Sequence, residues 1–441
     1  MFYDPMRPMR TRLFSTAGLI ATALMIVLGG CWPTEADSVV QPSVAELSQV
    51  PGEEPGLPTS SPEAEGIGID QLIRLTEWVK GNNVPIFSIL ISRHGKLVYE
   101  LYTSQLTRNH AHYLMSVTKS FLSSLVGAAL DRHLLRSPDM SVTEALPRSW
   151  FSNDANYARF RAPTLKDVMG MSALDSPDPP RDNSAAAKER QHEFLIARNR
   201  ATVSLTQPLL RNLGEAFQYN DENPAIIAAV VAVATGKSPF IFANEALFEP
   251  MEFQNQEWMH QDALGVDLGG YGLRLRPVDM QKFGNLYLNQ GMWQGKRLLS
   301  SDWVQTSFTP WIKTSATIGS PNYGWFWWRF PNALNWTVAM ADGWKGQRIF
   351  VLPAQDLVVT ITADFEGTNE DSTIAEIMNT WVLPSIKSPG ELPTSVDKDK
   401  HLAQLLKEVQ GGMPRWTSST EKRMIPSISH KEKRRAFHLP Q

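Results

Sequence analysis

Hydrophobic residues recur at helical spacing in two stretches of the N-terminal half. After Asp70, apolar side chains fall on one face of a predicted helix, which ends at Gly81. A second helix is predicted over residues 116–130, where most faces are apolar. Because such a helix has no polar side to present to water, we expect it to lie in the centre of the fold. The apolar positions of the first helix are Leu72, Ile73, Leu75, Trp78 and Val79.

Strand patterns occur before and after a middle part of the chain, residues 131–330, that is helical and rich in loops. The first two strands flank the turn His94-Gly95, which is typical of a β-hairpin. Strands at both ends predict an α+β fold (an α/β sandwich), in which both ends of the chain build one antiparallel sheet. Helices flank this sheet, and a mostly helical lobe is inserted. The predicted strands are 86–91, 97–102, 337–340, 348–352 and 357–362, and a helix follows over 372–382.

The N-terminus has the pattern of an export signal. Three arginines precede an uncharged stretch from Leu13 to Gly30, and the only cysteine, Cys31, follows directly. Leu28-Gly29-Gly30-Cys31 resembles the bacterial lipobox, in which the cysteine thiol receives the lipid. A transmembrane anchor is the alternative, because the stretch is about long enough to span a bilayer. The arginines are Arg7, Arg10 and Arg12.

This pattern predicts an exported lipoprotein of the bacterial cell envelope, anchored to a membrane and facing the periplasm. Trp32 follows the cysteine where an aspartate would signal retention in the inner membrane, so by analogy the outer membrane is favoured. With one cysteine, no intramolecular disulfide can form.

Composition divides the chain into four parts. Residues 1–30 are the predicted signal peptide, and residues 31–62, rich in Pro, Glu, Ser and Gly, are a predicted disordered tether. Residues 63–386 are the predicted catalytic domain, and residues 387–441 a peripheral, mostly disordered basic tail. The net charge of −3 argues against a nucleic-acid-binding protein, since there is no basic excess to neutralise phosphates.

The candidate chemistry begins with Ser116 and Lys119, which lie three positions apart in the predicted central helix. Residues at this spacing share a helix face, so the amine can lie beside the hydroxyl. A serine hydroxyl needs a base to become a nucleophile, and desolvation favours the neutral, basic form of a buried lysine. Two other Ser-x-x-Lys matches, at 395–398 and 419–422, lie in the polar tail, where nothing would bury the lysine.

A second proton-transfer group is predicted in the segment Gly214–Asp221. It contains Tyr219, whose hydroxyl could pass a proton to a leaving group if the fold brings it near the lysine.

Together these motifs resemble the serine β-lactamase-related hydrolases. That family includes class C β-lactamases, D-alanyl-D-alanine carboxypeptidases, family VIII esterases and 6-aminohexanoate-dimer hydrolase. Residues 116–121 resemble its nucleophile motif, and Gly214-x-x-Phe217-x-Tyr219-x-Asp221 its tyrosine motif, with Asp221 where many members have Asn. Residues 270–273 and 323–325 also look like family landmarks. The resemblance implies catalytic roles for Ser116, Lys119 and Tyr219, with no metal or organic cofactor.

A third motif of the family is similar to residues 343–351. Here Trp344 stands where the family has Lys or His, and Lys345 comes one place late. The substitution argues against recognition of β-lactams or of a substrate carboxylate. The resemblance implies that one backbone amide within Trp344–Gln347, not identified by the sequence, completes an oxyanion hole with the Ser116 amide.

The sequence therefore predicts a serine hydrolase that cleaves a small-molecule amide or ester through an acyl-enzyme on Ser116. One alternative is a β-lactamase or peptidoglycan D-peptidase; another is an inactive, lipid-anchored binding module. His110 and His112 could suggest a metal, but two histidines without a third ligand are more often packing or surface residues. Residues 325–328, Trp-Phe-Trp-Trp, could line a substrate cleft or belong to the core.

Overall fold

The structure, a computed structural model, describes residues 54–412 except 83, 105, 177–184, 260, 315–321, 334–335 and 366–368. All of these belong to one compact unit, Pro42–Gln441. Its helices are α1 (Ile69–Gly81), α2 (Val117–Asp131), α3 (Val142–Ala145), α4 (Asp154–Arg159), α5 (Leu165–Met169), α6 (Ala185–Ile196), α7 (Arg200–Ser204), α8 (Glu222–Thr235), α9 (Pro239–Ala243), α10 (Pro277–Leu288), α11 (Ser301–Phe308), α12 (Glu370–Glu376), α13 (Leu383–Ser385) and α14 (Val396–Gln410). Its strands are β1 (Ile86–Arg93), β2 (Lys96–Tyr102), β3 (His112–Tyr113), β4 (Glu257–Trp258), β5 (Leu273–Leu275), β6 (Met292–Trp293), β7 (Lys296–Arg297), β8 (Ile312–Lys313), β9 (Asn322–Tyr323), β10 (Trp328–Ala333), β11 (Trp336–Gly343), β12 (Gln347–Leu352) and β13 (Leu357–Ala363).

The main sheet has eight antiparallel strands in the order β2-β1-β13-β12-β11-β10-β9-β8. The N-terminal hairpin joins the C-terminal strands where β1 pairs with β13, with Ile89 opposite Ile361. This arrangement confirms the predicted sheet built from both ends of the chain. Parts of β1 and all of β12 and β13 are buried, because helices cover the sheet on both faces.

Helix α2 is the central helix that the apolar pattern predicted. Residues Val117 to Ala129 are all buried, and the helix packs against α8 and β11. Phe121 stacks on Phe283 of α10, with ring centroids 3.7 Å apart. A helix enclosed in this way holds its N-terminal residues in fixed positions, which matters because Ser116 directly precedes it.

The middle of the chain is mostly helical, as predicted, with α3 to α11. Its strands β4 and β5 form a small sheet with β3, in the order β3-β5-β4, and β3 lies just before the start of α2. The amide of Leu114, just after β3, donates to the carbonyl of Leu273 in β5 (2.9 Å). The small sheet thus fixes the turn that leads into α2.

The folded part extends beyond the predicted limits of 63–386 at both ends. Leu57 is fully buried, and α14 buries four apolar side chains against α1 and β2. A single leucine in a Pro- and Glu-rich segment gives no periodic signal, so composition alone placed residue 57 in the tether. The buried apolar residues of α14 are Leu402, Leu405, Leu406 and Val409.

Across the described ranges, no single helix is long and apolar enough to cross a membrane. Helix α8 and residues 239–248 reach that length and composition only together, with a bend of 68° between them.

Candidate active site

Ser116 lies at the N-terminal end of α2. It is the residue before the first helical turn, and its side chain is half-buried, so it can be reached from solvent. Met115 before it has a left-handed φ of 48°. For a non-glycine residue such a backbone costs about 1–3 kcal/mol and is found preferentially at functional turns.

Lys119 is buried beneath Ser116, with 1% of its surface exposed. Its Nζ lies 2.9 Å from Ser116 Oγ, 2.7 Å from Asp221 Oδ1 and 2.8 Å from the Gly270 carbonyl oxygen. An ammonium has three N–H donors, so each can be matched to one acceptor. If the amine is neutral, its lone pair can instead accept the Ser116 hydroxyl proton while two N–H groups keep the other partners. The site can hold both states that proton transfer requires.

Asp221 precedes α8, where a carboxylate would normally cap the helix. Its side chain makes no capping hydrogen bond and instead pairs with Lys119. In place of that carboxylate, Asn220 Oδ1 accepts a hydrogen bond from the Asn223 amide near the start of α8 (2.9 Å). Gly270 is required opposite, because a Cβ there would lie 2.4 Å from Asp221 Oδ1. The missing side chain lets the 270 carbonyl and the Asp221 carboxylate reach the same ammonium.

Tyr219 also lies close to Lys119, whose Nζ is 4.9 Å from the centre of the phenol ring. The ring is stacked on Trp328 at 5.7 Å and meets Tyr323 edge-on at 6.4 Å. Aromatic packing of this kind restricts the ring to one orientation. The structure therefore brings together the three residues, Ser116, Lys119 and Tyr219, that the sequence predicted as catalytic.

A second carboxyl lies next to Asp221. Burial, and then the negative charge of Asp221, raise the pKa of Glu222 above its ordinary value. Glu222 therefore takes up a proton more readily than an ordinary glutamate.

Gly343, at the end of β11, touches the start of α2. A Cβ on this residue would lie 2.3 Å from the Leu114 carbonyl oxygen and 3.2 Å from the Val117 amide nitrogen. The backbone of the main sheet therefore approaches the turn that holds Ser116 as closely as a glycine permits.

The loop after Gly343 does not present a cation in the position that the family pattern would give it. Trp344 is 58% exposed, while Lys345 is buried and its Nζ pairs with Asp364 Oδ1 at 2.6 Å. Two of the four amides predicted as oxyanion donors are already bonded: those of Lys345 and Gly346 donate to the two carboxylate oxygens of Glu370 (3.0 and 2.8 Å).

The other described residues that the sequence analysis singled out have structural roles. His112 is buried and stacks on Phe87 at 5.0 Å, and burial, then His110, lower its pKa well below the ordinary value. Ser395, of the second Ser-x-x-Lys match, caps α14 at the surface by accepting the Lys398 amide. The four aromatic residues 325–328 are all buried, which confirms the core interpretation. Cys31 and residues 419–422 lie outside the described residues.

Sequence reasoning missed the partners that hold Lys119. Asp221 was noted only as a departure from the family pattern and Gly270 only as a landmark. One signal was present: a carboxylate within the tyrosine motif is a suitable partner for a buried lysine, since a buried charge requires compensation. In the part of the chain that the structure covers, no three His, Cys, Asp or Glu residues are grouped as a metal site would need.

The fold and this constellation define a class of protein: the chain belongs to the beta-lactamase family, whose sequence pattern matches residues 74–377. The family predicted from the motifs is thereby confirmed. The chain is similar to a 6-aminohexanoate-dimer hydrolase from Paenarthrobacter ureafaciens, with 24% identity over 238 residues. That match covers 50% of this chain and 56% of the relative, a little over half of the relative's length.

Solved structures show the same fold. A penicillin-binding protein homologue from Pyrococcus abyssi superposes with a TM-score of 0.55 and 18% identity, covering 74% of this chain and 79% of the other. EstCE1, a hydrolase with promiscuous acyltransferase activity, superposes with a TM-score of 0.57 and 14% identity, covering 73% and 99%. At these identities the likeness establishes the architecture.

Proposed function

We propose that the protein is a serine hydrolase that cleaves an amide or ester through an acyl-enzyme on Ser116. The observation that carries the proposal is the 2.9 Å contact between Lys119 Nζ and Ser116 Oγ, made by a buried lysine whose other N–H groups are already bonded. A catalytic base needs hydrogen-bond reach to the proton that it takes and a stable place for the charge that results. Lys119 has both.

In the proposed acylation, Lys119 takes the proton of Ser116 while Oγ bonds to the substrate carbonyl carbon. The carbonyl oxygen becomes an oxyanion, which the Ser116 amide and an amide of the 344–347 loop stabilise. The tetrahedral intermediate then collapses, the bond to the leaving amine or alcohol breaks, and Tyr219 relays the proton from Lys119 to that group. Asp221 stabilises the ammonium that exists between these steps.

In the proposed deacylation, water attacks the ester carbon. Tyr219 relays a proton of this water to Lys119. The bond between the acyl carbon and Ser116 Oγ then breaks, and Lys119 returns the proton to Oγ. The acid product leaves and the site is restored. Neither half of the cycle requires a group beyond the side chains and amides named.

For the substrate we propose linear amides or esters without a carboxylate beside the scissile bond. The lysine that could bind such a carboxylate is bound to Asp364, and an exposed indole, Trp344, stands at the family's cationic position. The related 6-aminohexanoate-dimer hydrolase is named for a dimer of an amino acid, whose units are joined by an amide bond, and this supports an amide substrate. A β-lactamase or D-peptidase would need a cationic or hydroxyl clamp at this point.

The proposal is tested by turnover of p-nitrophenyl acetate and butyrate by the form that lacks residues 1–31. Ser116→Ala and Lys119→Ala should each lower kcat/KM by at least about 10³-fold. Ser395→Ala is the matched control, because it removes the serine of the surface Ser-x-x-Lys match, and it should keep wild-type turnover.

The same assay separates the alternatives. Hydrolysis that is unaffected by Ser116→Ala would refute the assignment, and absence of any turnover, with esters or amides, would favour the inactive binding module. Nitrocefin should be hydrolysed far more slowly than the esters. Rapid Ser116-dependent nitrocefin turnover would instead favour the β-lactamase alternative.

We further propose that the protein is exported and held at the membrane, facing the periplasm, by a lipid on Cys31. The support is the pattern of residues 7–31 in the sequence.

A further inference from the structure

The loop between β11 and β12 lies against the nucleophile turn. Gly343 touches the Leu114 carbonyl and the Val117 amide, so any shift of this loop changes its distance from Ser116. The proposed oxyanion hole needs an amide from the same loop, and such a donor acts only when it is held near 3 Å from the oxygen that becomes charged.

The conformation of the loop is one that needs support. Lys345 has a φ of 66° and Gly346 a φ of 94°, both in the left-handed region. Two consecutive amides here point to the same side and form a small concave site for an anion. Left without an acceptor, they would be unsatisfied donors in a largely buried loop.

Glu370, the first residue of α12, supplies that anion from inside the protein. One of its carboxylate oxygens accepts from the Lys345 amide at 3.0 Å, and the other accepts from the Gly346 amide at 2.8 Å. Its side chain is only 14% exposed, and the buried guanidinium of Arg348 fixes it at 2.7 Å. Arg348 also donates to the Gly343 carbonyl at 2.5 Å, so the same pair holds both sides of the loop.

We propose that Glu370 is a positioning residue of the hydrolase, a role that rests on the function proposed above. By taking the amides of Lys345 and Gly346, it removes both from the possible oxyanion donors and fixes the loop so that the amide of Trp344 or Gln347 faces the oxyanion. Glu370 touches no reacting atom; it acts through the loop.

The proposal predicts a particular kinetic effect. The negative charge on the oxygen develops in the transition state and the tetrahedral intermediate and is absent from the bound substrate. A displaced donor therefore lowers kcat while leaving substrate binding nearly unchanged. Loss of a whole oxyanion donor costs about 10²–10³ in kcat, and for a loosened one we expect a loss of about 10- to 100-fold.

The test compares Glu370→Gln with Asp371→Asn in the full chain, purified in detergent. Asp371 also contacts Arg348, at 3.3 Å, but it is 58% exposed. The substitution Asp371→Asn therefore removes a carboxylate from the same guanidinium without affecting the bonds to the loop amides. For each variant, kcat and KM for p-nitrophenyl butyrate, the affinity for phenylboronic acid and the melting temperature are measured. Phenylboronic acid forms a tetrahedral adduct with a reactive serine and so reports on the oxyanion site.

Glu370→Gln should lower kcat and boronate affinity by similar factors, 10-fold or more, with KM changed less than about threefold, while Asp371→Asn stays within about twofold of wild type. Glu370→Asp is included because it keeps the negative charge beside Arg348, which favours folding, but the aspartate side chain is too short to reach both amides. It should show smaller losses of kcat and boronate affinity than Glu370→Gln. Folded Glu370 variants that match Asp371→Asn in kcat and boronate affinity would overturn the inference. If Ser116→Ala is inactive in that same experiment, the proposed serine hydrolase function stands even though the role of Glu370 does not. If Ser116→Ala remains active, the proposed function itself fails.

Discussion

Lys119 obtains its hydrogen-bond partners from three separate parts of the chain. Ser116 is three residues away, Asp221 comes from the turn before α8, and the third acceptor is the carbonyl of Gly270. The local pair was predictable from helical spacing alone. The two distant partners depend on how α8 and the 270–273 segment pack on α2, which no spacing rule gives.

Gly270→Ala tests the importance of these distant partners. The new Cβ would lie 2.4 Å from Asp221 Oδ1, so the carboxylate or the 270 carbonyl must move away from Lys119. We expect kcat/KM to fall about 10- to 100-fold while the fold, measured by circular dichroism, is retained. Gly390→Ala is the control, since a Cβ there meets nothing within 4 Å. Equal kinetics for the two variants would show that the Asp221 and Gly270 contacts do not contribute.

Another residue-scale prediction concerns acid stability. Burial alone would raise the pKa of Glu65, but hydrogen bonds from Lys96, Ser60 and His94 outweigh it and lower the pKa from 4.5 to about 2. Since the folded-state pKa is below the unfolded one, the stabilisation is complete above about pH 4.5 and is lost as the pH falls toward 2. It amounts to at most about 3 kcal/mol.

Urea unfolding of wild type and Glu65→Gln at several pH values measures this contribution. The difference in unfolding free energy should be largest near neutral pH and shrink steadily between about pH 5 and pH 2. Glu376→Gln, at an exposed position on α12, should show no such trend. A constant difference across this range would mean that the Glu65 carboxylate is not stabilised by its partners.

At the scale of elements, hydrophobic periodicity predicted the helices and strands that are long and buried on a definite face. Helices α1 and α2 and the strands β1, β2, β12 and β13 were found within two residues or so of their predicted limits. Strands β3 to β9 were not predicted, because two or three residues are too few to show alternation. Their pairing is set by neighbours that are distant in sequence.

Helix α14 is the element whose importance the sequence understated. It lies in a tail that was predicted from composition to be peripheral and mostly disordered, yet its apolar face is buried on α1 and β2. Because Leu406 is 7% exposed, Leu406→Ala should lower the free energy of unfolding by about 2–4 kcal/mol. Lys400→Ala, on an exposed position of the same helix, should change it by less than about 0.5 kcal/mol. Equal urea midpoints for the two variants would show that α14 adds nothing to the core.

At the scale of the whole molecule, the architecture explains why two ends of the chain must be present to build one site. The β1–β2 hairpin and the C-terminal strands form a single sheet, α2 lies on it, and the loop after β11 meets the start of α2. Order along the sequence, with strands at both ends and helices between, was sufficient to predict this sheet. It was not sufficient to predict the shape of the inserted lobe, because that depends on side-chain packing among short helices.

The predicted lipid anchor also belongs to this scale. If Cys31 carries a lipid, Cys31→Ser should abolish labelling by an alkyne-tagged fatty acid in expressing cells. The variant should then either leave the membrane pellet for the soluble fraction or accumulate as an uncleaved precursor. Wild-type protein that never incorporates the fatty acid, while remaining in the membrane, would favour the transmembrane alternative.

The central claim, that Ser116 forms a covalent acyl-enzyme, is tested most directly by reaction with a fluorophosphonate followed by mass spectrometry of the intact protein and its peptides. The account predicts one adduct on wild type, mapped to the peptide that contains Ser116, and no adduct on a folded Ser116→Ala variant. An adduct that persists in that variant, or that maps to another serine, would contradict it.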